Sequence, residues 1–351
     1  MSSADLDDTQ RTSPVLQVVP LGAQWPTVDP FLFCAHHDDA YPAGDEHFAP
    51  AVPIDDRDLG MDFSGQDGWS MYHGRTVPGF PNHPHRGFET VTYVRKGLID
   101  HSDSLGAAAR FGRGDVQWLT AGRGIVHAEM FPLLDRERPN HLELFQIWLN
   151  LPAADKMVEP YFTMLWGDAL PVVERVDDAG RRTEITVIAG ALDGRPAPAP
   201  PPDSYASHPE ADLAIWHLRL EPGANVSLPP AAGPETARVL YVFGGQTVRT
   251  ADTEVANDTG VAVQSDVELE LEAGPVEVDV LVLQGRPLGE PVARYGPFVM
   301  TTEAEIERAF EDYRETGFGG WPWPDDAPTH GATRGRFARH VDGRVEEPAA
   351  D

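Results

Sequence analysis

With 351 residues, 41% of them hydrophobic and 9% aromatic, the chain is long enough for two ordinary domains that each bury a core. A formal net charge of −29 sets its surface against phosphate backbones and anionic lipid faces, which excludes direct nucleic-acid and membrane-surface binding as working classes. No stretch approaches the roughly 20 apolar residues of a membrane helix. The single cysteine, Cys34, forbids an internal disulfide and fits a reducing, cytoplasmic setting.

The polar opening, residues 1–14, lacks the basic and apolar regions of a secretory leader and is expected to be disordered. Residues 35–73, rich in Asp, Gly and Pro, read as a long surface insertion. Short runs of β-branched and aromatic residues then recur between glycines and prolines. They predict strands over 90–94, 116–119, 142–149, 185–188, 213–220, 239–243, 267–271 and 276–283. This is the punctuation of an all-β barrel or sandwich. The proline tract at 196–203 has no N–H groups to give a ladder and predicts a loop. Near the end, Thr302 and Glu305 make a capping box, and Ile306, Ala309, Phe310 and Tyr313 form one apolar helical stripe that Gly317 is placed to stop. The tail beyond about 320 reads as loosely ordered. A faint repeat, Tyr93-Val94-x-x-Gly97 and Tyr241-Val242-x-x-Gly245, is offset by 148 positions, about one domain.

Two segments carry chemistry. In Asn82-His83-Pro84-His85, residues i and i+2 of an extended chain face the same side, so both imidazoles aim at one point. The same holds for His127 and Glu129. Either motif alone is uninformative, and Pro84 points to a strand start, an edge or a bulge. Together, bordered by glycines, they predict a mononuclear metal site of three nitrogens and one carboxylate with one or two open positions. Such a donor set accepts Fe, Mn, Co, Ni, Cu or Zn. Glu89, Arg86 and Gln117 are weighed as supporting or structural groups, and Phe88, Trp118 and Phe145 as pocket walls or core. His36, His37, Asp38 and Asp39 read as a solvated loop cluster, and Cys34 as an inert thiol.

The segments HPHRGFETVTY, GDVQWLTAGRGIVHAEM, QIWLNLP with KMVEPYF, and ARYGPFVMTTEAEIERAFEDYR resemble pirin and the bacterial pirin-like quercetinases, over about residues 20–317. The resemblance implies a bicupin: two stacked cupin β-barrels with a C-terminal helix. The expected spans are 15–152 for an N-terminal metal-bearing barrel, 153–301 for a metal-free second barrel, and 302–351 for helix and tail. It also implies iron held by His83, His85, His127 and Glu129. The expected activity is a metal-dependent dioxygenase acting with dioxygen on flavonol-like or other phenolic substrates, Glu129 helping to deprotonate the substrate. A non-catalytic, redox-sensitive role with a protein partner is the alternative, and a storage or purely structural bicupin a third. The insertion and the acidic tail depart from the family pattern.

Overall fold

The alternating glycine-punctuated runs become antiparallel strands in the computed structural model, which describes residues 13–349. The expected disorder of residues 1–14 falls, for residues 1–12, outside the described residues. The chain divides into two units. One comprises Ala23–Leu170, Ala197–Ala211 and the segment from Leu288 onward; the other comprises Pro171–Pro196, Asp212–Pro287 and the described residues up to Gly22.

These bounds differ from the spans expected of the sequence, because three segments pair away from their neighbours in the chain. Strand Val15–Pro20 ladders onto Thr259–Val263 in the second unit. Strand Tyr161–Leu165 ladders onto Val116–Thr120 in the first. The short strand Phe337–Arg339, in the tail expected to be loose, adds to Ala108–Gly112. Arg110 fixes that addition. Its guanidinium makes a two-pronged pair with Asp100 at 2.7 and 2.8 Å and donates to the carbonyls of His330, Gly331 and Arg334. A buried charge with all its donors used in this way holds the tail strand against the edge of the sheet.

The first unit is built around two large sheets, with a small two-stranded one, Ala293–Tyr295 and Phe298–Met300, beside them in the chain's last part. One orders strands Tyr161–Leu165, Val116–Thr120, Phe88–Lys96, Asn140–Asn150 and Phe31–Tyr41. The other runs Val345–Glu346, Phe337–Arg339, Ala108–Gly112, Leu98–Asp103, Ile125–Met130 and Gly79–His85. Val94, Ile99, Phe111, Leu119, Leu144 and Met164 belong to one buried cluster. Burying each such side chain is worth about 1.5–3 kcal/mol. The second unit has a seven-stranded and a four-stranded sheet.

The sequence repeat has a structural meaning. Tyr93 and Tyr241 are both buried in strands, and Gly97 and Gly245 follow at φ of +76° and +88°. A Cβ there would lie 2.7 Å from the His141 carbonyl oxygen and 2.3 Å from that of Glu277 respectively, so only glycine turns the chain at either hairpin.

The helix forms as its pattern predicts, over Glu303–Thr316, with the Thr302–Glu305 capping box and Gly317 in the left-handed region. Ile306 and Ala309 are buried, and the Phe310 ring packs 4.7 Å from that of Phe298. Arg86 reaches this element. It pairs with Asp312 at 2.6 Å, donates to the Arg123 carbonyl and lies over the Phe318 ring. It therefore anchors the C-terminal helix rather than supporting a metal ligand.

Candidate metal centre

The two histidine-bearing segments become neighbouring strands. Gly79–His85 pairs with Ile125–Met130 in a register that sets His83 directly opposite His127, and an irregularity between Phe80 and His83 leaves Glu129 opposite Phe80. Gly79–His85 is the edge strand of its sheet, and the Pro81–Asn82 step sits in that bulge. Both prolines are tolerated there, since an edge or bulge does not require their missing N–H. The outer side is not bare: the Asn82 amide donates to the Asp326 carbonyl of the tail at 2.8 Å.

On one face of this pair, His83, His85 and His127 bring donor atoms within 4.8 Å of one another, the one such cluster found among the described residues. Ring centroids lie 4.5 to 4.9 Å apart, and His127 Nε2 is 3.0 Å from His83 Nε2. Glu129 stands beside the group, with Oε2 3.9 Å from His127 Nε2, and is outside the tight cluster of three. Its carboxylate accepts from Gln146 Nε2 at 2.8 Å. The Thr92 hydroxyl lies 3.1 Å from Glu129 Oε1 and 2.8 Å from Gln146 Oε1, so its one proton serves one of the two.

Burial sets the protonation of these groups. It lowers His83 to about 4, and it holds His85 and His127 well below the usual imidazole value, with the neighbouring imidazoles adding to the effect. Burial also raises Glu129. All three imidazoles are therefore neutral near pH 7. His83 Nδ1 faces the Pro81 carbonyl at 2.9 Å, and His85 Nδ1 that of Pro297 at 3.4 Å. Those contacts assign the proton to Nδ1 and leave Nε2 as a lone pair. Two Nε2 atoms at 3.0 Å, a third imidazole alongside and a carboxylate nearby form a donor set that a divalent first-row cation fits.

The site opens on a cavity of about 1250 Å³, whose lining includes His83, His85 and Glu129. Its aromatic walls are Phe33, Phe63, Phe80, Phe131 and Trp148, the last 5.5 Å from the His85 ring. Of the two readings weighed for Phe88, Trp118 and Phe145, pocket wall or core, burial decides for core. Glu89 is also away from the cluster. It accepts from Thr120, Trp118, Ser204 and the Tyr205 amide, which ties the 197–211 loop to the sheet. Gln117 is buried without reaching the ligands, its Nε2 unpaired among the described residues. Cys34 is fully buried, and burial pushes its thiol pKa up.

The His36–Asp39 run is the largest departure from the sequence reading. It lies on strand Phe31–Tyr41, and His37 and Asp39 line the same cavity. Thr92 and Gln146 were not singled out, since nothing local marks a strand polar residue as a partner of a distant carboxylate.

The pirin sequence profile matches residues 12–149, and that of the pirin C-terminal cupin domain matches residues 215–319. The chain belongs to the pirin family. A protein from Pseudomonas aeruginosa, provisionally named quercetin 2,3-dioxygenase, is 41% identical over 242 residues, covering 68% of this chain and 79% of that protein. A pirin-like protein of Caulobacter vibrioides is 37% identical over 269 residues, covering 77% and 90%. The solved structure of quercetin 2,3-dioxygenase from Acinetobacter baumannii superposes with a TM-score of 0.68 at 25% identity, covering 87% of this chain and 98% of that one. The chain thus has the two cupin domains and C-terminal helix of pirins, and its residues after 319 lie outside both matched segments.

Proposed function

We propose that this pirin is a metal-dependent dioxygenase of flavonol-like or related phenolic substrates, with a mononuclear metal, iron by family resemblance, held by His83, His85, His127 and Glu129. The observation that supports this most is the convergence of three neutral imidazoles, two of them buried and one half-buried, with a carboxylate beside them, at the wall of a large aromatic-lined cavity that His83, His85 and Glu129 line. The names of its relatives point to the same chemistry. The metal, when bound, supplies the electrophilic and redox chemistry that couples an electron-rich phenol to dioxygen.

The chain's own residues prepare the substrate. Aromatic walls stack against a flat ring system and exclude water. Glu129, whose proton affinity is raised by burial, takes the proton of the enol hydroxyl at the metal end of the cavity. Gln146 and Thr92 hold that carboxylate in place.

Oxygen uptake and quercetin loss by the iron-loaded protein, compared under air and under nitrogen, test the proposal. Oxygen-dependent consumption that His83→Ala abolishes supports it. Consumption unaffected by that substitution refutes it, as does the absence of turnover across a phenolic panel together with redox-dependent capture of a protein partner.

A further inference from the structure

We propose that His37, Tyr72 and Asp39 form a proton relay in the cavity wall that receives a second hydroxyl of the substrate, away from the histidine cluster. The inference rests on the phenolic reading above and narrows the ligand to an aromatic carrying acidic hydroxyls at two separated positions.

The relay is defined by two hydrogen bonds. Tyr72 Oη donates to Asp39 Oδ2 at 2.7 Å, and His37 Nδ1 lies 2.8 Å from Tyr72 Oη. Because the tyrosine proton is committed to the carboxylate, the imidazole must donate through Nδ1. That leaves Nε2 as a lone pair. Nε2 has no hydrogen-bond partner among the described residues, and the ring is only half-buried, on a cavity wall. A neutral acceptor is therefore presented to the cavity, suited to an O–H donor.

Protonation states agree with this geometry. Burial, with His36 beside it, lowers His37 to about 4, so the ring is neutral. Burial raises Asp39 to about 6 against the opposing hydrogen bonds from Tyr72 and the Ser70 amide. It is ionised at neutral pH yet basic enough to take back a proton. Burial and the Asp39 charge raise Tyr72, so it stays a phenol. The transfer balances without a co-reactant. The substrate O–H proton passes to His37 Nε2, the Nδ1 proton to Tyr72 Oη, and the tyrosine proton to Asp39 Oδ2. The result is a substrate phenolate and a neutral Asp39.

Packing alone does not explain the tyrosine. Its ring stacks on Phe80 at 5.2 Å, a contact that phenylalanine would keep. Tyr72 also sits at φ +56°, a conformation that costs a bulky residue energy and that tends to be retained where it positions a functional group. Phe80 lies 6.1 Å from the His37 ring and 6.3 Å from the His83 ring. One multi-ring aromatic laid along Phe80 can therefore address both ends.

The test uses metal-free full-length protein, stripped by chelation, titrated at neutral pH with luteolin, which carries the ring hydroxyls of quercetin without the enol hydroxyl assigned to Glu129, and followed by absorbance. Deprotonation moves its absorption band to longer wavelength, and neither a metal nor the Glu129 step is there to cause it. Wild type is expected to show the shifted band. Tyr72→Phe and His37→Gln are expected to show the neutral band and to bind about 3- to 10-fold more weakly, the range of one lost hydrogen bond. His37→Gln can still donate to Tyr72 but cannot pass a proton, so it decides the matter if Tyr72→Phe does not fold. A neutral band in wild type, a shift that survives both substitutions, or no luteolin binding overturns the relay. Iron-loaded turnover, run on the same preparations, separates the two claims. Turnover without a band shift sinks the relay alone, and a band shift without turnover sinks the dioxygenase reading alone.

Discussion

Replacing Glu89 by glutamine should flatten one component of the protein's pH-dependent stability. The Glu89 carboxyl is fully buried, and burial raises its pKa from 4.5 to about 7 despite the hydrogen bonds from Thr120, Ser204, Tyr205 and Trp118 that oppose the rise. A folded-state value above the unfolded one means that the folded chain binds the proton more tightly. Its contribution is present in full below pH 4.5 and is lost as pH rises through about 7. At about 1.4 kcal/mol per pH unit, the loss across that window is on the order of 3 kcal/mol. Glutamine cannot titrate. Any fixed cost of placing an amide against the Tyr205 N–H is the same at every pH and drops out of the comparison. Urea unfolding of wild type and Glu89→Gln, from below pH 4.5 to above pH 7, is the assay. The stability difference should move in favour of the variant by on the order of 3 kcal/mol as pH rises. Parallel curves for the two proteins would refute the reasoning.

Other substitutions have equally direct outcomes. Gly97→Ala, which forces a Cβ to 2.7 Å from the His141 carbonyl at positive φ, should cost more than about 1 kcal/mol in a thermal melt. Gly180→Ala, at φ +80° with open space around it, should cost less than Gly97→Ala. Arg110→Met leaves Asp100 buried without its partner and frees three tail carbonyls, so it should destabilise by about 3–5 kcal/mol. Limited proteolysis of that variant should cut first between 320 and 349. Gln146→Leu removes the 2.8 Å bond to Glu129 while sparing the imidazoles, and should lower metal affinity or turnover about 10- to 100-fold.

The site was legible in sequence where chemistry and strand period coincide. His83 and His85, with His127 and Glu129, are two period-two pairs, and of the places Pro84 suggested it occupies an edge strand, the bulge falling before it at Pro81–Asn82. The helix was legible because capping box, apolar stripe and terminal glycine are all local. What escaped was long-range. His-His-Asp-Asp has low strand propensity and reads as loop, yet its pairing with Asn140–Asn150 imposes a strand that propensity alone would not give. The three-residue strand at 337–339 is too short for any period, and its place is set by partners more than two hundred positions away, Arg110 beneath the tail carbonyls and Asp115 paired with Arg336. Strand Phe88–Lys96 is buried on both faces over most of its length. Its aromatic residues, Phe88 and Tyr93, therefore carried no sign that they are core rather than cavity wall.

Metal content measured on purified, reconstituted protein, beside His83→Ala and His127→Ala variants shown to be folded, bears most directly on the three-histidine centre. A single atom per chain in wild type, with little or none retained by either variant, is the expected result. Equal metal in all three proteins, or none held by reconstituted wild type, would contradict it.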